Sequence, residues 1–151
     1  MSGKRTRFWV TRFLAAVALC GSWAFAFGQD AVSSVRPPSP EELVQRQIDA
    51  WNRHNADDFV APYSDSTSLY LFPDKLIRQF TSKQELRDYY GHFFENNPNL
   101  HCEVAGQLVS GNTVILLEKV TGRADGRNIE SIVTYKIVNN QIARVYFDYR
   151  K

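Results

Sequence analysis

The sequence predicts an α+β fold in which three N-terminal helices pack on a curved, antiparallel four-stranded meander, with one short strand between the two parts. Two observations carry this. Apolar residues recur at helical spacing as far as Phe94 and at alternating spacing after Asn99. The strand-like stretches are joined by turns too short for anything but antiparallel neighbours, and helices first with strands later is the segregated arrangement. There is no internal repeat and no low-complexity tract.

The elements follow in order. Residues 1–26 have the make-up of a secretory signal: the basic residues Lys4, Arg5, Arg7 and Arg12, the apolar run from Phe13 to Leu19, and Ala24-Phe25-Ala26 as a cleavage site. An uncleaved anchor is the alternative, and the uncharged run from Phe13 to Gln29 is short for it. A lipoprotein reading through Cys20 is weakened by Leu19, where a small residue is needed. Residues 27–39 are small, polar and proline-containing, a flexible leader to a domain over 40–151. Ser39, Pro40 and Glu42 announce the first helix as cap, first-turn proline and capping-box acid. Leu43, Val44, Gln47, Ile48 and Trp51 then share one face, so Gln47 places an amide inside an apolar stripe. Asn55 caps a short second helix that Pro62 stops.

Ser68 to Phe72 reads as a brief strand ended by Pro73-Asp74. Ser82 and Glu85, at capping-box spacing, start a third helix on which Leu86, Tyr89, Tyr90, Phe93 and Phe94 form one face. Asn96-Asn97-Pro98 ends it. Strands are expected over 99–109, 113–123, 127–138 and 141–150, joined at Ser110-Gly111-Asn112, Asp125-Gly126 and Asn139-Asn140.

Charge and motifs exclude several classes. The chain has 18 basic and 16 acidic residues, but four of the basic ones lie in the signal segment 1–26. The remaining 14 against 16 make the domain mildly acidic, which excludes nucleic acid as a partner. Past the leader Cys102 is the single cysteine, so no internal disulfide forms and Cys102 reads as a small buried apolar residue. His54, His92 and His101 show no metal-ligand spacing, and His54 and His92 read as surface positions. No G-x-S-x-G, P-loop or dinucleotide fingerprint is present, and residues 122–126 read as a hairpin turn. No metal and no cofactor is implied.

Three segments carry a resemblance: LVQRQIDAWNRHNADDFVAPYSD, LYLFPD and HCEVAGQLVSGNTVILLEKVTGR. Over residues 40–151 the chain resembles the nuclear transport factor 2-like superfamily, in its SnoaL-like branch, relatives of polyketide cyclases and ketosteroid isomerases. The resemblance implies a cone with a pocket, on a fold that hosts enzymes and binding modules alike. The family's isomerases use an Asp base and a Tyr/Asp oxyanion hole. Here the Tyr position falls on Gln47, the base on Leu71 or Phe72, and the second Asp on Val133, so steroid-type isomerisation has no mechanism. A supporting tyrosine is retained at Tyr90, and Gln47 would bond either to a ligand carbonyl or to Tyr90.

The same resemblance sets the inward face of the meander. It places Asn99, His101, Glu103 and Ala105, then Leu116, Glu118 and Val120, then Ile129, Ser131, Val133 and Tyr135, and last Val145, Phe147 and Tyr149 inside. Glu118 is the anomaly, a carboxylate among apolar neighbours, and burying it unpaired costs several kcal/mol. His101 on the adjacent strand is the expected partner, and such a pair would shuttle a proton. The alternative is that Glu118 is solvated at the cone mouth and His101 is structural. The ligand-binding set is Gln47, Trp51, Phe59, Tyr63, Tyr90, Leu116, Val133, Tyr135 and Phe147.

Three functions are consistent with this: a periplasmic or secreted protein binding a small apolar or aromatic molecule, a lyase or isomerase working through His101 and Glu118, and an interaction domain whose cone is filled by its own side chains. An enclosed space of roughly 300 Å³ or more favours the first two. Leu100, Cys102, Val104, Leu108, Ile115, Leu117, Ile132 and Tyr146 are expected outside. Such a patch points to a homodimer through the outer sheet face, with no membrane partner after processing.

Overall fold

The computed structural model describes residues 36–150; the signal segment 1–26, most of the leader and Lys151 lie outside the described residues. Helix α1 spans Pro40–Asn52 and opens with the full capping box. The Glu42 N–H donates to Ser39 Oγ at 3.3 Å and the Ser39 N–H to the Glu42 carboxylate at 2.8 Å. Such a cap stabilises a helix by about 1 kcal/mol relative to alanine. Helix α2, Ala56–Val60, is capped by Asn55 as expected. Between them His54 adopts φ 55° and its Nε2 meets the Leu100 carbonyl oxygen at 2.8 Å, so it ties the helices to the sheet rather than standing on the surface. Helix α3, Lys83–Glu95, is capped by Ser82, but the Glu85 carboxylate accepts from the Thr81 N–H instead of closing a box on Ser82. Leu86, Tyr90 and Phe94 are buried beneath it.

The sheet has six strands, not four with a short companion: β1 Tyr63–Leu71, β2 Lys75–Phe80, β3 His101–Ser110, β4 Thr113–Thr121, β5 Ile129–Val138 and β6 Gln141–Tyr149, in the order β2-β1-β6-β5-β4-β3. The four meander strands lie where the alternation placed them, and their tight turns carry positive φ at Gly111, Asn139 and Asn140. β1 begins at Tyr63 rather than Ser68 and runs parallel to β6. β2 escaped the sequence reading for a physical reason. It is an edge strand with only Phe80 buried, so no core face imposes alternation on it.

Side-chain parity on β3 is the main correction. His101, Cys102, Glu103 and Val104 stand opposite Thr121, Val120, Lys119 and Glu118, but Gly106 then stands opposite Leu117. Ala105 is an extra residue, a β-bulge, and a bulge inverts which face the preceding residues occupy. Leu108 stays outside as expected, while Leu100, Cys102 and Val104 turn inward, the first two buried and Val104 packed against the core, and His101 and Glu103 turn outward and are exposed. The edge position is secured from α1. The Asn52 amide donates to the Cys102 carbonyl at 2.9 Å and accepts from its N–H at 2.8 Å, standing in for the neighbouring strand that an edge lacks.

The core lies between the helices and the inner sheet face, around Val44, Phe59, Leu86, Leu116, Val133 and Ile142. Truncating a fully buried member such as Leu86 to alanine costs about 2–5 kcal/mol. Among the described residues no helix is long and apolar enough to cross a membrane.

Candidate functional site

Against that core the helices and the sheet line a partly open cavity of about 200 Å³. This is below the roughly 300 Å³ at which small-molecule pockets usually begin, yet above the roughly 150 Å³ that holds a benzene ring in other proteins. The cone is therefore neither filled nor roomy; its scale is one substituted ring. Gln47, Ile48 and Trp51 line it from α1, Phe59 from α2, and Tyr89, Tyr90 and Phe93 from α3. The sheet contributes Tyr63, Leu69, Ile77, Cys102, Glu118, Val120, Ile129, Ser131, Tyr135, Val145, Phe147 and Tyr149.

On the sheet side the polar centre is Glu118, only 6% exposed. Its carboxylate accepts a 2.7 Å hydrogen bond from the Tyr135 hydroxyl, two residues from Val133 on the inner face of β5. The Cys102 thiol is a weaker polar neighbour, and buried Ser131 stands opposite on β5. Burial disfavours the charged carboxylate and pushes its pKa up to about 7, although Tyr135 and Cys102 pull the other way. Burial, and next the Glu118 charge, hold the Tyr135 hydroxyl well above its ordinary range, so Tyr135 remains a donor. A carboxyl that changes charge near neutrality inside an apolar cavity can act as acid or base there.

The helix side differs. Gln47 is 3% exposed, and its Oε1 has no hydrogen-bond partner; neither has Trp51 Nε1. Tyr90 does not satisfy the Gln47 oxygen, which removes one of the two roles expected for that amide. Trp51 is fixed among Phe59, Tyr90, Phe93 and Phe94, with ring centroids 5.5–6.1 Å away, and those walls offer its N–H no strong acceptor.

At the rim, Gly122 adopts φ +72° where a Cβ would lie 1.7 Å from the Asn99 carbonyl oxygen, so no other residue fits without a backbone shift. The turn it makes carries Arg123 over the Phe93 ring at 5.9 Å and into the cavity lining. Asp125 grips that guanidinium through both oxygens, and Asn97 holds the Ala124 N–H. The segment 122–126 is thus a braced rim as well as a hairpin turn.

Of the expected site residues, Glu118, Gln47, Trp51, Phe59, Tyr63, Tyr90, Tyr135 and Phe147 meet at the cavity. Leu116 and Val133 face inward but are packed into the core and do not line it. His101 is not part of it. The Ala105 bulge sends it to the outer face opposite Thr121, so the expected His101–Glu118 pair does not form and Tyr135 takes the partner's place. Cys102 and Arg123 were missed: the bulge concealed one, and the turn composition around Gly122 concealed the other. Phe72, one of the positions matched to an isomerase base, is exposed beside a cis peptide to Pro73. Among the described residues no group of three or more His, Cys, Asp or Glu converges as a metal site requires.

Comparison with known proteins agrees with the fold. Residues 44–145 match the family described as SnoaL-like domain. An ergochrome gene cluster protein of Claviceps purpurea (strain 20.1) is 31% identical over 91 residues, covering 58% of this chain and 76% of that protein. A cystatin-fold protein from Novosphingobium aromaticivorans superposes with a TM-score of 0.65 at 22% identity, over 73% of this chain and 97% of its own. A SnoaL-like protein from Burkholderia thailandensis gives 0.58 at 19% identity, over 77% of this chain and all of its own. At these identities the two structures speak for the fold alone.

Proposed function

The chain belongs to the SnoaL-like domain family, and we propose that its domain is exported and binds one small, apolar or aromatic molecule in the cavity. The observation that carries this reading is Glu118: a buried carboxyl held by a single strong donor, in a ring-sized space with aromatic walls. A purely structural core gains nothing from an ionisable group there, since apolar residues of similar volume are often equal or better for stability. Export rests on the basic, apolar and Ala-x-Ala sequence of residues 1–26.

The test is chemical-shift mapping with toluene as the probe. Resonances of Trp51, Tyr135 and Phe147 should move in a saturable way, with surface residues unaffected. Saturation at millimolar toluene with no cavity residue moving would remove the binding reading.

A second reading is favoured by the elevated Glu118 pKa. The carboxylate would take a proton from a carbon beside a ligand carbonyl and return it at another carbon, an isomerisation with Tyr135 steadying the charged base. This replaces the His101-dependent mechanism, which the bulge excludes.

We also propose a homodimer through the outer sheet face. Leu108 and Ile132 are 62% and 47% exposed there, beside Ile115 and Leu117 around a shallow hollow. The patch is smaller than the sequence suggested, because Leu100 and Cys102 have turned inward. Light scattering should give a dimer mass at micromolar concentration, and Leu108→Asp should give a monomer. A monomeric wild type contradicts the proposal.

A further inference from the structure

Two arginines hold the same carboxylate at the rim, and they differ in where they lie. Arg127 donates to Asp125 through Nε, Nη2 and its backbone N–H, with a side chain 73% exposed. Arg123 also grips Asp125 through Nε and Nη2, but its side chain is only 21% exposed, lying over the Phe93 ring and lining the cavity. Bracing the turn does not account for that position. Arg127 and the Asn97 side chain, which accepts from the Ala124 N–H, already fasten the turn. A guanidinium drawn in from water onto a cavity wall needs a further reason.

Its chemistry defines what would complete it. A guanidinium has five N–H donors and no acceptor. Asp125 occupies the Nε–Nη2 edge, and Nη1 has no partner among the described residues. The hydrogen bond from Asp125 raises the Arg123 pKa further, so the charge persists. One carboxylate shared by two guanidiniums leaves the turn with a net positive charge. A second cation stands one turn away along α3, where Arg78 from β2 lies over the ring of Tyr89, itself a lining residue, at 4.7 Å. The positive charge reaches the cavity wall: burial raises the pKa of the Tyr149 hydroxyl, and the Arg123 charge opposes that rise. A planar carboxylate is the anion whose geometry matches the remaining guanidinium edge. A volume of about 200 Å³ admits one ring behind it.

We propose that the cavity takes an aromatic carboxylate, its ring inside and its carboxylate on the free edge of the Arg123 guanidinium. This rests on the reading that the cavity takes a ring-sized molecule, and it fixes the chemical class. The mouth then recognises the charge, and the aromatic walls recognise the ring.

The experiment compares benzoate with benzamide, an uncharged analogue of the same shape, and uses toluene to report on the cavity itself. Chemical-shift titrations at pH 6, where Glu118 is largely uncharged, isolate the rim. Benzoate should bind about tenfold more tightly than benzamide, the increment expected of a charge-assisted contact in a partly buried site. Raising salt from about 50 mM to about 0.5 M should weaken benzoate several-fold and leave benzamide unchanged. Arg123→Gln should bring benzoate down to the level of benzamide while toluene still binds, which shows that the cavity is intact. Arg127→Gln, which removes the exposed brace alone, should keep the preference. The wild-type comparison decides by itself if Arg123→Gln fails to fold. Benzoate binding no more tightly than benzamide, a preference that survives Arg123→Gln, or one lost equally in Arg127→Gln overturns this inference and, with toluene bound, leaves the cavity reading standing. Failure of all three probes to bind overturns both.

Discussion

The two sides of the cavity handle buried polarity in opposite ways. On the sheet side Glu118 is the more expensive group to bury, yet it is supplied with Tyr135 at 2.7 Å and with Cys102 nearby. On the helix side the groups are neutral, and both are left without partners. The contrast follows from how each side is built. Strand residues two apart, or opposite one another, share a face, so the pleat brings Glu118, Ser131 and Tyr135 together. A helix offers only residues on successive turns, and α1 places around Trp51 apolar rings that complete no hydrogen bond. The sheet side supplies its own hydrogen-bond partner and is tuned in charge; the helix side leaves two polar atoms unpaired.

The largest effect should come from removing the sheet-side charge. A glutamate ionises near 4.5 when free and near 7 in this cavity. Between those values the folded chain holds more protons than the unfolded one, so the Glu118 contribution to stability declines as pH rises from about 4.5 to about 7, by ~3 kcal/mol in all. Glu118→Gln should abolish that decline and be more stable than wild type by a comparable amount at pH 8. Denaturation midpoints at pH 5 and 8 read it directly. Identical pH dependence in the two proteins would break the comparison.

A smaller effect is expected at Tyr135. Tyr135→Phe strips the carboxylate of its donor and should cost about 1–3 kcal/mol at pH 8, where Glu118 is charged. The cost should shrink at pH 5, because a neutral carboxyl needs the hydrogen bond less. A loss equal at both pH values would reduce Tyr135 to packing. Smallest is the helix side: Gln47→Met removes an unpaired buried oxygen at similar volume and should leave stability unchanged or raised by up to about 1 kcal/mol, independent of pH. A substantial loss would mean that Gln47 has a structural partner after all, and the asymmetry between the two sides would vanish.

Much of this architecture was legible in the sequence, and the parts that were not share a cause. Ser39, Asn55 and Ser82 start the helices where local hydrogen bonding requires. The four meander strands follow from their alternation, and Glu118 stood out because a charge on an inward face needs a reason. His101 was misplaced by one residue of parity: Ala105 bulges, and the one local sign is its neighbour Gly106, an isolated glycine inside a strand, which strict alternation passes over. β2 left no trace because an edge strand with Phe80 as its one buried residue has no pattern to display. The parallel pairing of β1 with β6 and the tie from Asn52 to Cys102 join distant parts of the chain, and no local spacing encodes either. The unpaired state of Gln47 Oε1 and Trp51 Nε1 is likewise a property of packing; the sequence showed an amide in an apolar stripe, but not that its neighbours would be rings.

The most direct test of the account is the titration of Glu118 itself. Carbon-13 labelling of glutamate carboxyl groups, with Glu118→Gln to assign the resonance, follows its ionisation by NMR from pH 4 to 9. The account predicts a midpoint near 7, rising further in Tyr135→Phe as the hydrogen bond that favours the charged form is lost. A midpoint near 4.5, unmoved by that substitution, would contradict it and return Glu118 to an ordinary solvated carboxylate.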